Sequence, residues 1–452
     1  MKISYYNIGC KVNFSEIATI QQKLERKGHS SVEFGEKSDA VIINTCSVTN
    51  NADSDARKII RRALRNNPDA LICVLGCYAQ LRPEEIAQID GVDAIFGTKE
   101  KFNVINYIEA KNKKDKPDIF VSDLNDLPFH TACSEDNESH TRLTLKIQDG
   151  CDYVCTYCTI PKARGNSRSM PFDELKAKLT ELNSSEYSEI VLSGVNLGEY
   201  LAPSGENFLD LVRFIEESGF KQRFRISSIE PNLLKPEIID IISKSESFCH
   251  HFHIPLQSGS PEILKLMKRR YKAEFFQNLI FSIKEKIPDC CIGVDVISGF
   301  PGETEKHFQE TYDLLEKLPV SYLHPFTYSE RANTPAADFP TVVPFEVRKS
   351  RTIALRLLSD RKRLQFYSSQ LNKTKTLLPE EFEENEKFVS GWTENYVKTK
   401  IISDDYQLQS VKSNSNPESP NELRKSFKGK PIKVLLQEIQ GDFVIAKAIH
   451  RD

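Results

Sequence analysis

The chain has 452 residues, 28% of them charged and 39% hydrophobic, with a formal net charge of −3. That length suggests about three domains, the composition is that of an ordinary globular protein, and no run is apolar enough for a spanning helix. A charge so close to neutral excludes a globally basic nucleic-acid binder, so any such contact must come from local patches.

The first residues, Met1-Lys2-Ile3-Ser4-Tyr5-Tyr6, are too short and polar a stretch for an export signal. Eleven cysteines in such a chain point to a reducing, cytoplasmic setting and to ligand or core roles rather than disulfides. Residues 1–125 alternate apolar runs (2–8, 40–44, 70–75) with a helical pattern over 13–27, in which Ile17, Ile20 and Leu24 share one face. The alternation predicts a small parallel α/β domain.

Three cysteines follow the strands: Cys10, Cys46 and Cys77. The carboxyl edge of a parallel sheet is where ligands bind, so three thiols there can converge; alternatively each is a small buried hydrophobe. Cys73 lies inside a strand and reads as core. Arg57, Lys58, Arg61, Arg62 and Arg65 form a basic helical stripe, either a solvated face or a phosphate-contacting one.

Residues 112–140 are polar; 126–140 read as an inter-domain linker, and Cys133 within it as no ligand. Residues 141–330 then carry six strand candidates, near 143–148, 189–193, 223–228, 251–256, 290–298 and 320–327. Helical patterns lie between them, near 171–183, 207–218, 235–244, 273–286 and 304–318. Six βα units predict a partial barrel with its chemistry at the carboxyl ends of the strands.

The loop after the first of these strands reads Asp149-Gly150-Cys151-Asp152-Tyr153-Val154-Cys155-Thr156-Tyr157-Cys158. Three thiols within eight residues can wrap one iron–sulfur cluster, and three ligands leave one iron of a cubane open for chemistry. Cys155 and Cys158 alone would also fit a redox pair or half a zinc site; a redox pair leaves Cys151 unused, and a second ligand pair for zinc is not found nearby. Small residues close the other strand ends: Ser193 and Gly194, Ser227, Gln257, and Gly299. Such turns let a nucleoside approach the backbone. Arg164 and Arg168 offer bidentate forks for a ligand carboxylate, or surface ion pairs. His250, His251 and His253 read as packing or supporting groups, with 251 and 253 on one face. Cys249, Cys290 and Cys291 read as packing residues.

Residues 344–370 read as a basic amphipathic helix. Residues 371–452 carry β-like runs at 387–392, 395–402, 432–438 and 442–449, separated by a polar stretch, 403–425, that reads as a long loop. An aromatic beside a polar strand, as in Trp392-Thr393-Glu394-Asn395-Tyr396-Val397, can stack on a base; for Trp392 itself the reading is a barrel-core residue.

The pattern C-x3-C-x-aromatic-C, with Tyr157 as the aromatic, resembles the signature of the radical S-adenosylmethionine (SAM) enzymes. The wider run from Ile147 through Ile160-Pro161-Lys162-Ala163-Arg164-Gly165-Asn166-Ser167-Arg168-Ser169 is similar to one branch of them, the methylthiotransferases. Gly9-Cys10-Lys11-Val12-Asn13, Asn44-Thr45-Cys46 and Gly76-Cys77 match that family's three N-terminal ligand motifs. The C-terminal segment resembles its small RNA-binding barrel, called TRAM, apart from a missing glycine in Asn372-Lys373-Thr374.

The resemblance implies an order of domains: 1–125 with a second iron–sulfur cluster, a linker at 126–140, a radical SAM barrel with its helix at 141–370, and a TRAM-like barrel at 371–452. It implies two [4Fe-4S] clusters, on Cys10, Cys46 and Cys77 and on Cys151, Cys155 and Cys158, the second chelating SAM. It also implies a SAM pocket including Tyr157, Arg168, Ser193, Gly194, Ser227, Gln257 and Gly299. The implied reaction inserts a methylthio group at C2 of a modified adenosine beside the anticodon of tRNA. It needs an electron donor such as flavodoxin or ferredoxin and a sulfur source, and no membrane. Gly9-Cys10-Lys11-Val12-Asn13 resembles the branch acting on N6-threonylcarbamoyladenosine, and Lys11 or nearby arginines would meet that group's carboxylate. The alternatives are an isopentenyladenosine or ribosomal-protein substrate, and an iron–sulfur electron carrier fused to an RNA-binding module.

Overall fold

A computed structural model describes residues 1–47, 49–110, 113, 116–135, 141–383, 388–402 and 429–449. Among them no helix is long and apolar enough to cross a membrane.

The N-terminal part is a six-stranded parallel sheet in the order Ser30–Val32, Lys2–Asn7, Ala40–Thr45, Leu71–Gly76, Ala94–Phe96, Asp118–Phe120. Its central strands, Ala40–Thr45 and Leu71–Gly76, are buried throughout, as continuous apolar runs covered on both faces must be. The strands expected at 2–8, 40–44 and 70–75 are present. Ala94–Phe96 and Asp118–Phe120 are only three residues long, too short for a periodicity to register.

The central part holds the six expected parallel strands in two blocks. Arg142–Lys146, Glu189–Ser193 and Arg223–Ile226 form one block; His251–His253, Cys291–Ser298 and Tyr322–Thr327 form the other. A single Phe224–Phe248 bridge joins them, so the sheet curls into an open partial barrel. The polar 126–140 stretch is not a free tether where it is described: Ala132–Cys133 pairs antiparallel with Arg142–Lys146, and Cys133 is buried. Thr19 Oγ1, on the N-terminal helix Lys11–Arg26, accepts the Cys133 N–H at 2.9 Å. Residues 136–140 lie outside the described residues.

The helix Phe345–Gln370 covers the last barrel strand, with Ser359 Oγ bonded to both backbone groups of Leu323 at 2.9 Å. It is less basic in effect than its sequence. Arg348, Arg351 and Lys362 are buried; Arg351 pairs with Glu303 at 2.8 Å, and Lys362 Nζ bonds the Leu318 carbonyl at 2.7 Å.

The C-terminal part is a closed five-stranded barrel, ordered Thr374–Glu383, Phe388–Thr393, Lys398–Ile402, Phe443–Ala448, Ile432–Gln440. The first strand had no sequence reading, because Pro379 and the acidic run after it hide a strand that bulges there. Where the glycine is missing, Asn372 adopts φ +62°, a conformation asparagine tolerates. The polar stretch 403–425 lies outside the described residues.

One buried charge network joins the N-terminal sheet to the barrel. Glu16 from the first helix accepts from Lys101 (2.8 Å), Lys146 (3.0 Å) and Arg164 (3.2 Å). Arg164 also reaches Asp149 at 2.8 Å and bonds Asn13. Burial alone would raise the Glu16 carboxyl, but Arg164, Lys101 and Lys146 hold it well below its ordinary 4.5. Glu16 therefore contributes stability that is complete above its unfolded value and drains away as pH falls towards its folded one. Glu16→Gln leaves three buried cations underpaired and should cost about 3–5 kcal/mol in urea unfolding at neutral pH. The mutant should also lose less stability than the wild type on acidification. A cost below about 1 kcal/mol would mean the network is not what joins the two parts.

Candidate functional site

The N-terminal thiols are brought together by buried backbone bonds at the sheet's carboxyl edge. Asn13 Nδ2 donates to the carbonyls of Ile8 and Thr45, both at 3.0 Å, tying the Cys10 turn to the Cys46 turn. Asn44 Nδ2 returns a bond to the Asn13 carbonyl at 2.8 Å. Thr45 Oγ1 donates to the Leu75 carbonyl at 2.7 Å, tying the Cys46 turn to the Gly76-Cys77 turn. Gly76 has φ +103°, and a Cβ there would stand 2.4 Å from the Thr45 carbonyl oxygen, so only glycine lets the strands approach this closely. Cys10 Sγ lies 3.8 Å from Asn13 Oδ1. The Arg164 guanidinium, the largest opponent of the burial that raises the Cys77 thiol, acts on that thiol from across the domain boundary.

The second set sits on a loop propped from below. Gln148 Nε2 donates to the Asp149 and Gly150 carbonyls (3.2 and 2.8 Å) and to Ser167 Oγ (2.9 Å). Gly150, at φ +71°, passes so near residue 166 that a Cβ would stand 2.0 Å from its carbonyl oxygen. Each sulfur of the loop accepts an N–H: Cys151 from Tyr153 N (3.4 Å), Cys158 from Ile160 N (3.4 Å) and Cys155 from Arg269 Nη1 (3.1 Å). Burial raises all three thiols, Cys158 to about 12, while Arg269 opposes the rise at Cys155. Sulfurs that are costly to ionise alone but are already met by donors suit metal-bound thiolates, which a cluster deprotonates.

All three loop cysteines line a cavity of about 260 Å3. Of the residues assigned to a SAM pocket, Tyr157 and Gln257 line it. Gln257 does so at φ +65°, a strained backbone of the kind found at functional sites. The others stand elsewhere. A Cβ on Gly194 would meet Gln148 Oε1 at 2.8 Å, so that glycine serves the prop beneath the loop. Ser193 and Ser227 end their strands behind the lining, and their buried hydroxyls have no partner. Gly299 makes room for Arg348 of the long helix, whose Cγ would lie 2.2 Å from a Cβ there. Arg168 pairs with Asp149 at 2.8 Å and bonds the Arg164 carbonyl. Arg164, enclosed by Glu16, Asp149 and Asn13, is unavailable to a ligand carboxylate.

Sequence reasoning missed three polar lining residues: Asn196, Glu230 and Arg269. Asn196 is buried and neither atom of its amide has a partner; an orphan amide at a cavity wall fits a polar ligand group. Its signal was its place beside the glycine turn, and Glu230 was similarly visible in Ile229-Glu230-Pro231. Arg269, which ion-pairs with Glu230, sits in an ordinary basic turn and gave none.

The histidines are supporting groups. His250 bonds the Ile242 carbonyl (3.1 Å), His251 bonds Tyr322 Oη (2.9 Å), and His253 bonds Asp295 (2.8 Å). Cys73, Cys249, Cys290 and Cys291 are buried. Within the basic stripe, Arg57 bonds Tyr78 Oη, Lys58 pairs with Asp55, and Arg62 lies over Phe34.

The loop thiols line this cavity, and the N-terminal part reaches its wall just after Cys46. Thr159, next to Cys158, donates its hydroxyl to the carbonyl of Ser47, next to Cys46, at 3.4 Å. Arg331 clamps that turn through Ser47 Oγ (2.6 Å) and Asp53 (2.7 Å). Thr49, on the same N-terminal turn, lines the cavity with Cys151, Cys155 and Cys158. The site thus has the three loop thiols in its lining, Thr49 from the N-terminal part beside them, a nucleoside-sized recess and a buried cation, Arg269, at its edge.

Residues 2–97 match the family described as "Uncharacterized protein family UPF0004", and residues 145–315 match the "Radical SAM superfamily". The threonylcarbamoyladenosine tRNA methylthiotransferase of Bacillus subtilis (strain 168) is 39% identical over 411 residues, covering 88% of this chain and 89% of its own length. Its counterpart in Aquifex aeolicus (strain VF5) is 35% identical, covering 88% and 96%. The tRNA-2-methylthio-N6-dimethylallyladenosine synthase of Clostridium tetani (strain Massachusetts / E88) is 34% identical, covering 76% and 77%. Among solved structures, a radical SAM methyltransferase from Kitasatospora setae with cobalamin and a [4Fe-4S] cluster bound shares the fold. Its TM-score is 0.54 at 14% identity, covering 74% of this chain and 77% of its own. Thiol sets on a parallel sheet and on a partial barrel, with relatives this similar over most of their length, place the chain in the radical SAM methylthiotransferase family.

Proposed function

We propose that this enzyme inserts a methylthio group at C2 of N6-threonylcarbamoyladenosine beside the anticodon of tRNA, in the cytoplasm. The observation that carries the reading is a cavity lined by Cys151, Cys155 and Cys158 and reached by the N-terminal part through Thr49 and the Thr159–Ser47 contact. The four relatives named as threonylcarbamoyladenosine enzymes, 34–39% identical, support the substrate.

Cys151, Cys155 and Cys158 would hold one [4Fe-4S] cluster together with SAM, and Cys10, Cys46 and Cys77 a second. The aromatic C–H bond has no acidic proton, so acid–base groups cannot open it, and these cofactors supply radical chemistry when bound. The chain's own residues do the rest. Arg269 keeps a positive charge against Cys155 and Glu230. Asn196 offers unspent donors and acceptors to a nucleoside. Ser47, fixed by Arg331 and Thr159, and Thr49 bound the cavity from the N-terminal side, positioning substrate and limiting water. An electron donor such as flavodoxin or ferredoxin and a sulfur source complete the reaction.

Lys11 supports the substrate branch. It follows Cys10, and among the described residues its side chain has no hydrogen bond or ion pair. It is exposed to solvent, while the packing around its ammonium, then Arg142 and Arg225, lower it to about 8. A cation pressed on by other cations gains from an anionic substrate group, and a threonylcarbamoyl group brings a carboxylate. Lys11→Met should therefore raise KM for the threonylcarbamoyl tRNA about tenfold or more, leaving SAM cleavage intact. An unchanged KM would remove Lys11 from recognition.

Replacing Cys10, Cys46 and Cys77 together by Ala should halve the bound iron and abolish methylthio insertion, while 5′-deoxyadenosine still forms from SAM. Replacing Cys151, Cys155 and Cys158 should also halve the iron but abolish both products, since thiolates are the ligands. Full iron loading in either triple mutant would overturn its ligand set. The substrate itself is tested by nucleoside mass spectrometry of tRNA from a host lacking its own enzymes and expressing this chain. The threonylcarbamoyl nucleoside should gain the methylthio group; 2-methylthio-isopentenyladenosine in its place would overturn the substrate.

A further inference from the structure

A second cleft, of about 610 Å3, lies between the last barrel strand, the long helix and the C-terminal barrel. Its floor is aromatic. Trp392 lies on Tyr396 with ring centroids 4.3 Å apart and planes at 20°. Tyr396 lies on His251 at 4.4 Å and 29°, and Arg225 stands 5.1 Å from the Tyr396 ring centre. Trp392 is thus half-buried at the cleft and absent from the barrel core, where its sequence context had put it. The rim carries Arg356, Arg363 and Lys398 against Asp360 and Asp442. Two of these cations are spent, Arg363 on Asp360 and Lys398 on Asp442. Arg356 is exposed and has no hydrogen-bonding or ionic partner among the described residues.

Stacked rings edged by a spare guanidinium suit single-stranded nucleic acid, whose bases stack on aromatics while phosphates meet cations. The cleft and the thiol cavity share one lining residue. Phe326, on the strand Tyr322–Thr327, lines both. Its side chain is 41% exposed, and among the described residues no aromatic ring packs against it. An apolar ring left uncovered between two cavities has no structural task that this fold reveals.

We propose that Phe326 is the partition between the reacting adenosine and its neighbour in the RNA strand. The target base lies on the thiol side, and the adjoining base lies on the other side, over Tyr396 and Trp392. This deepens the tRNA reading and rests on it. An enzyme that acts on a base must take it out of its stack, at a cost of a few kcal/mol. An aromatic side chain returns about 1–3 kcal/mol per base by stacking. A ring inserted at the point of separation restores contact to both bases at once. It also sets how far the target base enters the cavity.

The experiment uses the reconstituted holoenzyme and an anticodon stem-loop carrying N6-threonylcarbamoyladenosine. It reads three quantities: 5′-deoxyadenosine formed, methylthiolated nucleoside formed, and affinity for the RNA. In Phe326→Ala the ratio of 5′-deoxyadenosine to product should rise about tenfold or more, because SAM is still cleaved while the base is badly placed. Phe326→Leu, which keeps most of the volume without the ring face, should behave like Phe326→Ala. Phe326→Tyr should restore the wild-type ratio. Trp392→Ala should weaken RNA binding about fivefold or more and leave iron content unchanged. A wild-type ratio in Phe326→Leu would overturn the partition, as would failure of Phe326→Tyr to restore it at normal iron content. A wild-type protein that leaves the stem-loop unmodified would instead overturn the tRNA reading, so the two failures are distinguishable.

Discussion

Everything in this structure depends on a buried ionic junction between two parts that would otherwise fold separately. Glu16 belongs to the N-terminal helix; Asp149, Arg164 and Lys146 belong to the barrel and its first loop. Arg164 touches Glu16, Asp149 and Asn13 at once. Asn13 holds the Cys10 turn to the Cys46 turn, and Asp149 Oδ1 accepts the Gly150 N–H at 2.9 Å, just before Cys151. One guanidinium therefore spans the supports of both thiol sets. Charges taken out of water are costly unless fully paired, and that cost fixes the relative position of the two parts better than apolar contact would, since apolar surfaces can slide.

The same economy explains why the cavity is open on one side. Six strands in two blocks joined by one bridge leave a gap that eight strands would close. The N-terminal part reaches it through Ser47, held by Arg331 and Thr159, and through Thr49. Phe326 lines both this cavity and the aromatic cleft beside the C-terminal barrel. That barrel is held in place by Arg223 and Arg225, whose guanidiniums pair with the buried Glu189 and donate to carbonyls of residues 376 and 392–394. The thiol cavity and the aromatic cleft thus adjoin at Phe326 and draw on all three parts of the chain.

Much of this was legible in the sequence because the signals were local. C-x3-C-x2-C after an apolar strand, and three cysteines each ending a strand, need only strand assignment to be placed at a site. The glycines misled. Gly194 and Gly299 look like ligand-facing turns, yet each makes room for a side chain from another element, Gln148 and Arg348. A missing Cβ says that something is close without saying what. Arg164 and Arg168 misled for a related reason: the sequence shows a cation but not its partner, and Glu16 lies 148 residues away in the chain. Arg269 and Phe326 carry no local pattern, and only the folded chain places them beside the thiols.

The central proposal is that two thiol sets, one on the N-terminal sheet and one on the first loop of the barrel, each hold a cluster, with the N-terminal part reaching the cavity that the loop thiols line. Anomalous diffraction at the iron edge from crystals of the anaerobically reconstituted protein tests it most directly. The account predicts two separate iron peaks, one among Cys10, Cys46 and Cys77 and one among Cys151, Cys155 and Cys158, both opening on the space between Thr49 and Tyr157. A single peak, or two peaks opening into unconnected spaces, would contradict it.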